Sequence, residues 1–117
     1  MLLWWLSDDA TLSRDAREAI GDEDNLVAVS AATAWEMSIK RALGKLSSPD
    51  DLEQQLEENG FVSVPITLAD GLAAGGLARH HEDPFDRMLI AQAQARSLTV
   101  VTRDQRFARY EVDLLPV

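Results

Sequence analysis

Short apolar runs rich in valine alternate with helical segments along almost the whole chain, and few folds accept that order. Leu26-Val27-Ala28-Val29, Phe61-Val62-Ser63-Val64 and Leu98-Thr99-Val100-Val101 read as buried strands, being short, apolar and β-branched. Val112–Leu115 is a candidate last strand. Between them lie helices with their own punctuation. Residues 14–20 form a short amphipathic helix, with Ser13 as N-cap and Gly21 as stop. Ala31–Leu43 is helical up to Gly44, and its apolar Trp35, Ile39 and Leu43 share one face. Ser48-Pro49-Asp50-Asp51 opens a helix that runs to about Asn59, before Gly60. Thr67 opens an Ala/Gly-rich helix over 68–76, and Asp83-Pro84-Phe85-Asp86 opens one that reaches Ser97. Residues 104–110 make a turn or short helix, and the apolar 1–6 read as the end of a helix. Strands separated by helices imply an α/β fold with a parallel sheet.

Length and composition narrow the class. The 117 residues suit a single domain over 1–117, and a hydrophobic share of 46% suits a globular core. There is no cysteine, which excludes a disulfide framework, a thiolate zinc site and a cysteine nucleophile. No signal peptide or membrane-length apolar run is present, so the expected location is cytoplasmic. A net charge of −9 argues against a nucleic-acid partner. Its distribution weakens that argument. Segments 8–24 and 50–58 hold twelve of the twenty acids, whereas the last third carries Arg79, His80, His81, Arg87, Arg96, Arg103, Arg106 and Arg109. A basic rim around metal-neutralised acids can still meet phosphates.

In a parallel α/β sheet the functional crevice lies beyond the carboxyl ends of the strands. Ser30 ends the first clear strand and Glu36 lies in the following helix; Thr102, Arg103 and Asp104 follow the third; Asp86 sits in the first turn of the 84–97 helix. Glu36, Asp86 and Asp104 could therefore converge, and converging carboxylates suit a hard cation such as Mg²⁺ or Mn²⁺. Plainer readings stand beside this. Asp83 serves as an N-cap with Asp86 at N3, Asp104 as a turn residue, and Glu36 as an exposed helix position. The adjacent His80 and His81 point different ways in a loop, which argues against a shared metal. The Trp4-Trp5 pair suits a core or dimer contact better than a base-stacking platform.

Four stretches, taken in order, resemble the VapC-like PIN domains, the toxin halves of type II toxin–antitoxin pairs. They are Leu2-Leu3-Trp4-Trp5-Leu6-Ser7-Asp8; Val29-Ser30 through Ala34-Trp35-Glu36-Met37; His80-His81-Glu82-Asp83-Pro84-Phe85-Asp86-Arg87 with Leu89-Ile90-Ala91-Gln92-Ala93; and Val101-Thr102-Arg103-Asp104 with Phe107. The resemblance implies a three-layer α/β/α fold with a flavodoxin-like wound parallel sheet. It implies a cluster of four acids, three of them Glu36, Asp86 and Asp104, with Thr102 as a hydroxyl near the metal or its water. It further implies Mg²⁺- or Mn²⁺-dependent ribonuclease activity by in-line attack of water on phosphorus, a VapB-type antitoxin partner, and a homodimer. Relatives carry a strand ending in a Leu-Asp-Thr-His-like sequence before the Leu-Leu-Trp-Trp helix. Here Met1 begins inside that helix, so this first strand and its metal-binding aspartate are expected to be missing. A late start assignment and a real truncation both account for that, and the intact motifs elsewhere favour the first.

Two other classes compete. One is a catalytically impaired remnant that only docks an antitoxin or dimerises, which the missing aspartate favours. The other is a response-regulator receiver, which would need a lysine after a late strand, whereas none follows Lys45.

Overall fold

The computed structural model describes residues 2–3, 14–22, 24–44, 52–102 and 105–116. In chain order these form β1 (Leu2–Leu3), α1 (Arg14–Gly21), β2 (Val27–Ser30), α2 (Ala31–Ala42), α3 (Leu52–Glu58), β3 (Val62–Val64), α4 (Leu68–Gly76), α5 (Pro84–Arg96), β4 (Thr99–Thr102), a 3₁₀ helix (Gln105–Arg109) and β5 (Asp113–Pro116). The strands make one sheet in the order β3-β2-β1-β4-β5, and every pairing is parallel. The fold is therefore α/β, as the alternation of elements requires.

The amino-terminal expectation needs correction. The reading of 1–6 as a helix fails at Leu2–Leu3, which is a strand, and the centre of the sheet is not left empty. Leu2 pairs with Val27 and Thr99, and Leu3 with Ala28 and Val100. The physical reason is backbone accounting. With no strand between them, β2 and β4 would each bury a row of unpaired N–H and C=O groups. A short apolar run has no period that separates a helix from a buried strand, so this demand for partners decides its conformation. Trp4, Trp5 and the rest of the 4–6 stretch lie outside the described residues, as do Ser13, the Ser48–Asp51 helix start, Arg103 and Asp104.

The core gathers on β2, β3 and β4. Ala28, Val64, Ile90, Ala93, Leu98, Val100, Phe107 and Tyr110 form one buried cluster, with Leu77, Leu89, Val112 and Leu114 against it. The α2 helix departs from its sequence pattern. Its buried residues are Ala32, Thr33 and Met37, while the shared face of Trp35, Ile39 and Leu43 is 61%, 39% and 64% exposed. The face that α2 buries is therefore the one carrying Ala32, Thr33 and Met37, and Trp35, Ile39 and Leu43 remain outside it.

One buried polar network ties the helix starts to the sheet. The Ser30 hydroxyl caps α2 by accepting from the Ala32 N–H (3.0 Å), and it donates to Gln92 Oε1 (2.5 Å). Gln92, fully buried on α5, donates from Nε2 to Pro65 O and to Asp70 Oδ2, both at 3.2 Å. Arg96 closes the network with two parallel bonds to the Asp70 carboxylate (3.0 and 2.9 Å). Such a forked pair fixes geometry as well as adding energy.

Candidate active site

The site lies where α2 leaves β2 and where α5 begins. Asp83 caps α5, accepting at Oδ1 from the N–H groups of Phe85 (2.9 Å) and Asp86 (3.1 Å), and Pro84 fills the first helical position. Proline is tolerated there because its missing N–H would have had no partner within the helix. Asp86 follows at the third position. Across from it, Trp35 of α2 packs edge-on against Phe85, with centroids 5.0 Å apart and planes at 73°. That contact brings the turn bearing Glu36 up to the turn bearing Asp86.

The electrostatics record the approach. The Asp86 carboxyl is pushed above its ordinary range, chiefly by burial and then by the charge of Asp83; a hydrogen bond from His81 pulls the other way, and the Glu36 charge adds to the rise. The main repelling acid is thus Asp83 at the cap of the same helix, and Glu36 of α2 adds a smaller push across the α2–α5 junction. Glu36 also makes a 3.6 Å ion pair with Lys40 one turn on, which is a weak surface contact.

His81 decides how Asp86 is held. Its Nε2 lies 2.7 Å from Asp86 Oδ2, and its Nδ1 accepts from the Asp83 N–H at 3.3 Å. The ring is buried and stands edge-on to Phe107. The main chain is fixed as well. The His81 N–H donates to the Tyr110 hydroxyl (3.0 Å), which donates to Ala78 O (2.6 Å). Arg87 reaches back from α5 to the carbonyls of Ala74, Leu77, Ala78 and His81 at 2.8–3.1 Å. Ala74 and Leu77 stand at the end of α4 and Ala78 and His81 in the loop that follows, so Arg87 ties the 77–83 loop to both helices.

Of the four residues singled out from the sequence, the structure brings two together, Glu36 and Asp86. Thr102 ends β4, half-buried and in register with Pro116. Asp104 lies outside the described residues, and among the described residues no group of three or more His, Cys, Asp or Glu side chains could hold a metal ion. The basic rim is also smaller than its sequence count. Arg87 is committed to backbone carbonyls and Arg96 to Asp70; among the described residues of the last third, Arg79, Arg106 and Arg109 are exposed. Sequence reasoning missed three parts: His81 as the holder of Asp86, Tyr110 as the anchor of the loop, and Arg87 as its clamp. Only the closeness of His81 to Asp86 in sequence could have hinted at the first.

A family model described as the PIN domain matches residues 1–113. No curated protein matches the chain. Domains of that family are generally nucleases and usually bind a divalent metal. Among the described residues, no helix is long and apolar enough to cross a membrane.

Proposed function

This chain belongs to the PIN-domain family, and from that premise we propose that it is a Mg²⁺- or Mn²⁺-dependent endoribonuclease of the VapC toxin type. The observation that carries the reading is the pair of carboxylates at the α2–α5 junction. Burial, then the charge of Asp83 and, least, the charge of Glu36 raise Asp86, and acids gathered this way are costly to keep charged unless a cation offsets the repulsion. The oxygen-only donor chemistry of Glu36 and Asp86 suits a hard divalent ion that keeps several waters.

Glu36 and Asp86 would hold the ion. Asp104 is the proposed third ligand, and the Thr102 hydroxyl is proposed to lie beside the ion or its water. A bound divalent ion supplies the positive charge that activates a water and stabilises the phosphoryl oxygens. The protein contributes position: α5 presents Asp86 from a capped first turn, α2 presents Glu36, and exposed Arg79 and Arg109 offer charge for the RNA backbone. We read the β3-β2-β1-β4-β5 order as the wound sheet of a three-layer PIN-like domain, with the acids along its carboxyl edge. A VapB-type antitoxin and a second copy of the chain are the proposed partners.

The test is cleavage of RNA by the purified chain in Mg²⁺ or Mn²⁺, repeated after chelation and with Asp86→Asn. The reading expects activity that needs the metal and collapses in the variant. Cleavage that survives both chelation and the substitution overturns it. The toxin role has its own test, growth arrest on expression that a co-expressed antitoxin relieves.

A further inference from the structure

Two helices here start on one pattern, a capping residue with an aspartate three positions on. At α4 that pattern closes on itself: the Thr67 side chain accepts from the Asp70 N–H (3.1 Å), and the Asp70 carboxylate accepts from the Thr67 N–H (3.0 Å). At α5 the second half of the box is different. The Asp83 N–H donates not to Asp86 but to His81 Nδ1, and the other nitrogen of the same ring meets Asp86 Oδ2 at 2.7 Å.

The ring therefore stands inside the box. With Nδ1 occupied as an acceptor, the ring hydrogen lies on Nε2 and is donated to the carboxylate. The capping donor is satisfied without Asp86. The carboxylate is held through Oδ2, with 22% of the side chain exposed beside a His81 ring that is 1% exposed. Phe107, Tyr110 and Arg87 fix the ring and its backbone from three directions.

We propose that His81 is a positioning residue, not a metal ligand: by taking the capping N–H on one nitrogen and gripping Asp86 with the other, it turns the Asp86 carboxylate out of the helix start and aims it at the cation. This rests on the metal-dependent reading above. Carboxylates that bind metals commonly need such an outer partner, and losing it typically weakens metal affinity by about 10- to 100-fold.

The test measures Mn²⁺ binding by the free-ion electron paramagnetic resonance signal, on the whole chain, for wild type, His81→Ala, His81→Asn, His81→Gln and Asp86→Asn. Thermal unfolding establishes beforehand that each is folded. Glutamine places an N–H donor where Nε2 lies, whereas asparagine reaches only the Nδ1 position. The proposal expects His81→Ala and His81→Asn to bind Mn²⁺ about 10- to 100-fold more weakly and His81→Gln to recover most of the affinity. Wild-type affinity in His81→Asn overturns it. Equal losses in His81→Gln and His81→Asn also overturn it, because a merely structural histidine would behave that way. Absent binding by wild type, or unchanged binding by Asp86→Asn, removes the metal reading itself and this proposal with it. A further measurement needs no variant: the ¹⁵N shifts of the wild-type ring should report hydrogen on Nε2 alone, and hydrogen on Nδ1 overturns the arrangement.

Discussion

Asp70 and Asp86 hold the same position on two helices of one protein, and their surroundings drive them in opposite directions. Asp70 receives a fork from Arg96, an N–H from Thr67 and an amide hydrogen from Gln92. The Arg96 bonds dominate, and despite burial its carboxyl is held far below the usual carboxylate range. Asp86 is half-buried beside other acids, with His81 as its hydrogen-bond donor, and its carboxyl is pushed up. One acid is satisfied and locks the fold; the other is left in need of positive charge. The difference teaches that position on a helix does not set a carboxylate's state; its partners do, and the acid left unsatisfied is the one the proposed metal reading puts to use.

The comparison can be broken most sharply at Asp86. Asp86→Asn should lower RNA cleavage by about 10²-fold or more, since a misplaced metal or water alone costs that much. Chemical denaturation should find the variant at least as stable as wild type, because a half-buried charge repelled by its neighbours is gone. A large stability loss would place Asp86 with Asp70 as a structural acid.

Asp70→Ala should do the reverse. Breaking a buried pair and leaving one charge behind is strongly destabilising; because Arg96 keeps 29% of its side chain exposed, the expected loss is about 2–3 kcal/mol, below the full range for buried pairs. Metal affinity of the protein that remains folded should stay near wild type.

Acid titration sharpens the same contrast. The folded carboxyl of Asp70 lies below its ordinary value, so the unfolded chain binds that proton first as pH falls. The contribution of Asp70 is fully present above about pH 4, the unfolded carboxylate value, and is lost below it. Unfolding curves measured between about pH 5 and 2 should show a decline that flattens in Asp70→Asn.

The smallest effects concern the caps. Thr67→Ala removes one half of a closed capping box and should cost about 1 kcal/mol in denaturation. Asp83→Ser keeps the cap yet removes a charge that raises Asp86, so its stability should stay within about 0.5 kcal/mol of wild type. A full cap-sized loss there would mean that the Asp83 charge, not its oxygen, holds α5.

Much of this was legible in the chain. Thr67 opens α4 and Asp83-Pro84 opens α5, because caps and prolines act within a turn of themselves. Gly44 and Gly60 take φ of +72° and +71° after their helices, the left-handed turn that glycine makes cheaply. Leu2–Leu3 was not legible, because two leucines fit a helix or a strand and only the unpaired edges of β2 and β4 choose. Nor was the exposure of Trp35 and Leu43, since a shared face does not say what covers it.

The sequence by itself determined the alternation of elements, the helix starts, and the placing of Glu36, Asp86 and Thr102 near strand ends and helix beginnings, because these follow from periods and caps that span a few residues. It wrote Thr67-x-x-Asp70 and Asp83-x-x-Asp86 as near equivalents. Only the tertiary structure decided that Asp70 meets Arg96, 26 residues away, while Asp86 meets His81 and the charge of Glu36. The reason is that a carboxylate's energy is set by the charges and donors within a few ångströms in space, and the packing of α2, α4 and α5 chooses those neighbours.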